Sequence, residues 1–329
     1  MPRDTMRAAV IHELGAADTI HVERVPVPTP GRGEVLVRVT ATAVNHVDTF
    51  VRSGVYRTPI SFPFVIGRDL VGTVEGLGDE VDHLQLGDAV WCTSLGHGGR
   101  QGAASAFAIV SPDRLYPVPQ QVDPIELVAL AHPASTAWLA LFEHGALTAS
   151  HTVVVEGGAG NVGACAIALA LAAGAVVVAT AGARSLDALR AAGAQALDYR
   201  SPRLRAELRA SLPNGADLWL DTSGTLALTE TVPLLAERGR VVLVAGAARE
   251  DTLRFGDLYM HDRAVDGFAI SNATVDELSR AARAVGEALA NGILRAPDIQ
   301  RLPLERAAEA HAALEAGKVR GTRIVLVTG

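Results

Sequence analysis

Three features of the sequence predict an α/β fold in which a doubly wound parallel sheet accompanies a β-rich domain. The first ~120 residues form short runs of alternating apolar and polar side chains, broken by Gly and Pro, as half-buried strands require. From near Asp123, continuous apolar strands alternate with helical segments, the pattern of parallel strands buried on both faces. Between one such strand and its helix lies the loop Gly158-Ala159-Gly160-Asn161-Val162-Gly163.

The elements follow in order. HVERVPVPTPGRGEVLVRVTATAV alternates around a Pro/Gly turn, and DLVGTVEGLG and GDAVWCTS add short strands. PIELVALAHPASTAWLALFEHGAL carries apolar residues at helical spacing. The strand Thr152–Glu156 precedes the glycine loop and the helix ACAIALALAAG follows it. Further strands are read at Ala175–Thr180, Asp217–Asp221 and Arg240–Val244, with the helix SLDALRAAG among them. The strand AVDGFAI, the helices DELSRAARAVGEALANG and LERAAEAHAALEAG, and the strand RIVLV complete the chain.

Composition narrows the function. The chain has 329 residues, 49% of them hydrophobic, enough for about two domains with buried cores. Its net charge of −7 and lack of a basic block argue against nucleic acid as a partner. Lys318 is the only lysine, which disfavours Schiff-base and P-loop chemistry. Cys92 and Cys165 cannot build a disulfide framework or a four-thiolate zinc site. MPRDTMRAAVIHELG has no apolar core of signal-peptide length. The most apolar stretch, Gly163 to Ala181, is split by Gly174 and reads as a buried helix and strand. A soluble, cytoplasmic protein with no membrane partner is expected.

The glycine loop matches G-x-G-x-x-G between strand and helix. Gly158 makes a tight turn, Gly160 admits a pyrophosphate to the backbone, and Gly163 lets helix and strand pack closely. The helix N-terminus at Asn161 and Val162 presents free N–H groups to phosphate. An NAD site has an acid at the end of the next strand, about 20 residues on, to hold the ribose 2′-hydroxyl. Here that region reads Ala179-Thr180-Ala181-Gly182-Ala183-Arg184-Ser185, without an acid. Arg184 and Ser185 suit a 2′-phosphate, so NADPH is the expected cofactor.

With these residues in view, the chain resembles the medium-chain dehydrogenases/reductases, in their zinc-independent quinone oxidoreductase and zeta-crystallin branch. The resemblance spans nearly the whole chain. It rests on Ala43–Gly54 (AVNHVDTFVRSG), Ile66–Gly72 (IGRDLVG), Ser135–Trp138, the glycine loop and Gly321–Leu326. It implies a Rossmann domain at 125–264, inserted into a β-rich, GroES-like catalytic domain built from 1–124 and 265–329. It also implies a homodimer, joined through the strand Arg263–Ile270.

The resemblance places Asn45 where zinc-dependent members carry a cysteine, and Arg68 at their histidine position. His132 is left as one lone ligand, so no metal is expected. Without zinc the suited acceptor is already electrophilic, a quinone or an α,β-unsaturated carbonyl. Asn45 and Tyr56 are then the catalytic candidates, Asn45 also touching the cofactor. Asp48 and Arg68 are read as a structural ion pair. The resemblance puts Thr136 near the nicotinamide and Tyr199 beside the adenosine phosphate. It adds Thr180, Ala245, Gly246, Phe268 and Arg323 to the cofactor contacts. Two departures are notable. Phe50 stands where the branch has tyrosine, and Gly102–Phe107 lacks the usual tyrosines and glutamate, which suggests a more apolar or open pocket. Two further readings are an enoyl-thioester or polyketide-tailoring reductase, with Arg52, Arg57 and Arg100 at the pocket mouth, and an NADPH-binding protein with little catalysis.

Overall fold

The computed structural model describes residues 4–329. They form two compact units. The first runs to His132 and resumes with Leu278–Ala290 and Arg295–Gly329, while the second comprises Pro133–Glu277 and Asn291–Leu294. Both sequence-derived boundaries move. The first fell at 124/125, the start of the helix Pro124–Trp138, which runs past His132 before it ends. The second fell at 264/265, inside a strand that pairs in parallel within the second unit and so belongs to it.

The first unit contains β1 (Thr5–Ile11), β2 (His21–Pro26), β3 (Val35–Ala43), β4 (Phe64–Val65), β5 (Leu70–Leu77), β6 (Ala89–Cys92), β7 (Phe107–Val110) and β8 (Tyr116–Pro117). A three-stranded sheet forms in the order β2-β1-β4. The central strand β3 alternates only in its middle, where Arg38 and Thr40 face outward, and both its ends are buried. It meets β5 so closely that a Cβ on Gly72 would sit 2.1 Å from the Arg38 carbonyl oxygen, which leaves room for glycine alone. Val35, Val37, Leu70, Val74 and Val90 form the apolar core here.

The second unit holds β9 (Thr152–Glu156), β10 (Val176–Ala181), β11 (Gln195–Asp198), β12 (Ala216–Asp221), β13 (Leu235–Leu243) and β14 (Ala264–Gly267). They make one parallel sheet in the order β11-β10-β9-β12-β13-β14. The order reverses between β9 and β12, which makes the carboxyl ends of those strands the crevice where such sheets bind ligands. Val153, Val154 and Val155 are fully buried, each contributing roughly 1.5–3 kcal/mol of transfer free energy. The edge strand β14 is shorter than the predicted Arg263–Ile270, because the chain turns into a 3-10 helix at Ile270–Asn272.

The chain then re-enters the first unit. β15 (Asp298–Pro303) and β16 (Thr322–Val327) complete the larger sheet, in the order β15-β16-β3-β5-β6-β8, with β7 also paired to β3. Val325–Val327 pair with Ala41–Ala43, so residues from both sides of the inserted sheet meet on adjacent strands. The apolar stretch predicted as helix then strand is the helix Asn161–Ala172 followed by β10. Pro124–His144 is long and apolar enough to cross a membrane, yet 78% of its most apolar window is buried within the protein.

Candidate active site

In the first unit, buried polar groups converge on Asn45. This residue ends an extended segment and starts the helix His46–Ser53; its backbone N–H donates to Asp48 Oδ2 at 2.7 Å. Its side-chain amide is held at both ends. Nδ2 donates to Asp69 Oδ2 at 2.8 Å, and Oδ1 accepts from Arg323 Nη2 at 2.7 Å. The other Asp69 oxygen accepts from Thr93 Oγ1 at 2.6 Å. The amide orientation is therefore set, and Nδ2 keeps one further N–H.

Arg323 owes its place to a proline. Pro133 lies inside the helix Pro124–Trp138 and has no N–H, so it cannot serve the carbonyl of Ala129 four residues earlier. Arg323 Nε donates to that carbonyl at 2.7 Å. One guanidinium thus completes a helix and orients Asn45. Carried over as a cofactor contact, Arg323 instead turns Nε and Nη2 into the protein interior, where it is buried.

Charge in this centre is tightly constrained. Burial raises the Asp48 and Asp69 carboxyls, and for Asp48 the neighbouring Asp69 adds to the effect. Arg68 is buried and its charge opposes the rise in both. Burial, then Arg68 and Arg323, pushes His132 down to about 3, so its ring is neutral. Its Nδ1 lies 4.0 Å from Asp69 Oδ1. Zinc does not fit this donor set. An amide already bonded at both ends and a guanidinium occupy two ligand positions, and no three His, Cys, Asp or Glu gather as ligands among the described residues.

Tyr56 is half-buried after the helix His46–Ser53, and its ring lies 5.6 Å from the ring of His97. Burial, then Arg68, Arg100 and Arg114, lowers His97. Phe50 is 44% exposed, on the outer face of its helix. Gly102–Phe107 does not open a pocket. A Cβ on Gly102 would come within 2.4–2.5 Å of the carbonyls of Val65, Ile66 and Gly67. Ala103 and Ala104 are buried, and Phe107 packs with Met6 and Leu36. The lost tyrosines of this segment are therefore replaced by core packing. Arg52 is also removed from any pocket mouth, since it is buried and paired with Glu315, whereas Arg57 is exposed and Arg100 half-buried.

In the second unit, the glycine loop joins β9 to the helix Asn161–Ala172. A Cβ on Gly163 would lie 2.3 Å from the Gly157 oxygen, and one on Gly158 2.9 Å from Ile167 Cδ1. Gly160 caps the helix in extended conformation without a side-chain cap, leaving the first-turn N–H groups directed outward. This cradle fits a pyrophosphate. Gly158 N–H donates to the carbonyl of buried Thr180 at 2.9 Å, which locks the loop against β10.

Beyond β10, Arg184 and Ser185 form a 3-10 turn with Arg184 exposed. Tyr199 packs beside Gly182, and Arg200 lies over its ring at 5.2 Å. Gly246, which follows Ala245, approaches Gly224 closely. Phe268 stacks on His144 at 4.1 Å. Thr136 is buried in the helix Pro124–Trp138.

Comparison with known proteins agrees with both units. Residues 31–120 match the alcohol dehydrogenase GroES-like domain, and residues 161–286 the family described as zinc-binding dehydrogenase. A chloroplast envelope quinone oxidoreductase homolog from Arabidopsis thaliana is 34% identical over 69% of this chain and 70% of its own. The chain belongs to the medium-chain dehydrogenase/reductase superfamily, in its zeta-crystallin-like quinone oxidoreductase branch. Mouse quinone oxidoreductase is 28% identical over 98% of both chains. A mycobacterial relative solved in complex with NADPH superposes with a TM-score of 0.83 at 27% identity, covering 98% of this chain and 99% of its own. Membership of the branch makes this protein an oxidoreductase whose glycine loop suits a pyridine dinucleotide.

Asp69, Thr93, His97 and Arg200 escaped the sequence reading. Asp69 had a signal, its place beside Arg68 in the Ile66–Gly72 motif. Thr93 and His97 lie on a strand end and a glycine-rich loop, where only the fold reveals what they face.

Proposed function

We propose that this protein transfers hydride from NADPH to a quinone or an α,β-unsaturated carbonyl without help from a metal. The observation that carries the reading is the Asn45 amide, fixed between Asp69 and Arg323 where metal-dependent members place a ligand. When bound, the nicotinamide supplies the hydride. The remaining Asn45 N–H donates to the acceptor oxygen, where negative charge develops. Arg68 and Arg323 place positive potential behind that amide, which favours the same charge. Such acceptors spread the charge into an enolate or quinol anion, so one oriented amide and a proton source suffice. Tyr56 Oη holds a proton for that oxygen, with water as the alternative donor.

The first-turn N–H groups at Asn161–Gly163 hold the pyrophosphate. Arg184, Ser185 and Tyr199 take the 2′-phosphate region, and Arg200 adds a second guanidinium there. The edge strand β14 exposes unpaired backbone groups, and pairing with its copy in a homodimer covers them.

Steady-state NADPH oxidation against a panel of quinones and enones, with and without excess chelator, tests the reading. Turnover undiminished by chelator is expected. Activity that falls with chelator and returns with zinc overturns the metal-free part. No turnover on any acceptor leaves a nucleotide-binding protein without this catalysis.

A further inference from the structure

In the first unit, the stretch after β6 collects buried hydrogen-bond donors that find no acceptor among the described residues. Ser94 is buried at 1% exposure with φ +66°, a left-handed conformation that non-glycine residues rarely adopt. Its hydroxyl has no partner. Arg100 donates from Nη2 to the Ser94 carbonyl at 3.1 Å, and its Nε is buried without a partner. Arg114 Nη1 and the Tyr116 hydroxyl are in the same condition. Tyr116 is itself buried and stands opposite Trp91 in the β6–β8 ladder, with the two rings 5.3 Å apart.

Arg100, bonded to Ser94, links them electrostatically. The Arg100 guanidinium feels the charges of Arg114 and Arg68, and Tyr116 feels that of Arg114. The carboxylate acting on Arg100 is that of the exposed Asp113, and neither Arg100 nor Arg114 forms an ion pair among the described residues. A buried donor left unmet keeps its full desolvation cost. Several in one place, two on guanidinium groups, call for one acceptor rich in lone pairs. Both arginines are half-buried, so the rest of each guanidinium remains reachable from solvent.

We propose that Ser94, Arg100, Arg114 and Tyr116 form an oxyanion subsite for a carboxylate or phosphate carried by the hydride acceptor. Ser94 directly follows Thr93, the residue that anchors Asp69. In this proposal the subsite binds the far end of a molecule whose reacting oxygen lies at Asn45. It narrows the substrate class to anionic quinones and enones. The inference rests on the hydride-transfer reading above.

The test pairs trans-4-phenylbut-3-en-2-one with its para-carboxy derivative, and adds crotonyl-CoA for phosphate. Each is assayed with the wild type, Arg100→Gln and Arg114→Gln. KM for the carboxylated enone should rise about tenfold or more in each variant, as one lost charge-assisted contact predicts. Its kcat and both constants for the neutral enone should stay within about twofold. Thermal unfolding should show Arg114→Gln no less stable than the wild type, because it removes an unmet donor, whereas Arg100→Gln also gives up the bond to the Ser94 carbonyl. If a variant does unfold, Ser94→Ala replaces it in the same assay.

Calorimetric binding of the carboxylated enone and of inorganic phosphate, without NADPH, separates the two proposals. Binding lost in Arg100→Gln, with no turnover on any acceptor, sustains the subsite and overturns the hydride-transfer reading. Turnover of both enones with no anionic preference, or one unchanged in the variants, overturns the subsite. An arginine-dependent preference for crotonyl-CoA over the carboxylated enone assigns the subsite to phosphate. The reverse assigns it to carboxylate.

Discussion

Replacing Gly163 and Gly160 separately by alanine should divide what the glycine loop does for the fold from what it does for the nucleotide. At Gly163 the new Cβ would stand 2.3 Å from the Gly157 oxygen and 2.9 Å from the Gly157 carbonyl carbon and Gly158 Cα. Those neighbours are backbone, so relief requires the helix Asn161–Ala172 to move away from β9. Overpacking of this kind costs typically about 1–3 kcal/mol. For a unit of this size each kcal/mol lowers the melting temperature by roughly 2–4 °C, so a fall of about 2–12 °C is expected. Gly160 differs, because its φ of −79° suits any residue and its Cβ would meet only the Gly157 oxygen, at 3.1 Å. Gly160→Ala should therefore cost less than about 1 kcal/mol of stability, within the range of benign substitutions. Its methyl would occupy the space that a phosphate needs in front of the first-turn N–H groups, so NADPH affinity should drop at least about tenfold. Differential scanning fluorimetry and nucleotide fluorescence titration read the two effects. A Gly160→Ala variant that binds NADPH like the wild type would falsify the placement of the pyrophosphate. An unchanged melting temperature for Gly163→Ala would show that this glycine does not set the helix–strand distance.

Four further outcomes can be checked. Arg184→Ala should weaken NADPH by about 1.5–3 kcal/mol and leave NADH nearly unchanged, and equal losses for the two nucleotides in fluorescence titrations would refute the 2′-phosphate assignment. Asn45→Ala should lower turnover roughly 10–1000-fold while changing NADPH affinity little, and calorimetry beside steady-state rates would expose the opposite split. Burial and Asp221 raise Glu156 from 4.5 to about 7, so the stability it supports is full below pH 4.5 and lost as pH rises through 7. Urea unfolding should thus show the wild type weaker at pH 8 than at pH 6 and Glu156→Gln less affected, and identical slopes would contradict this. Light scattering at micromolar concentration should give twice the chain mass, and a monomer would count against pairing through β14.

The sequence exposed the inserted sheet most clearly. Thr152–Glu156 is a strand with the predicted bounds, and β10 and β12 fall within one residue of theirs, because buried parallel strands are continuous apolar runs. β13 begins at Leu235, five residues before the predicted Arg240, since its first half is polar and bends around Arg238, whose φ is +63°. β11 and β15 were missed, as QALD and DIQRLP are short and mixed in polarity. Of the catalytic candidates, Asn45 could be found from its motif, but its partners could not. Asp69, Thr93 and Arg323 come from three different strands or strand ends, and no local pattern in the chain marks their meeting. Phe50 and Gly102–Phe107 misled for a related reason. A motif position states which residue stands where, whereas only the fold tells which way it faces.

The bond from Arg323 to Asn45 spans 278 positions of sequence, and that from Arg323 to the Ala129 carbonyl spans 194. The centre is therefore a late product of synthesis. While a ribosome is still extending the chain, the helix interrupted by Pro133 carries an unserved carbonyl and the Asn45 amide has no guanidinium to fix it. The inserted sheet has local connections and is free to form first, whereas contacts of such long range are slow to close. A nascent chain that already holds the whole nucleotide-type sheet thus still lacks an ordered reaction centre. Nucleotide capture and chemical competence should therefore arise at different moments in the life of one molecule.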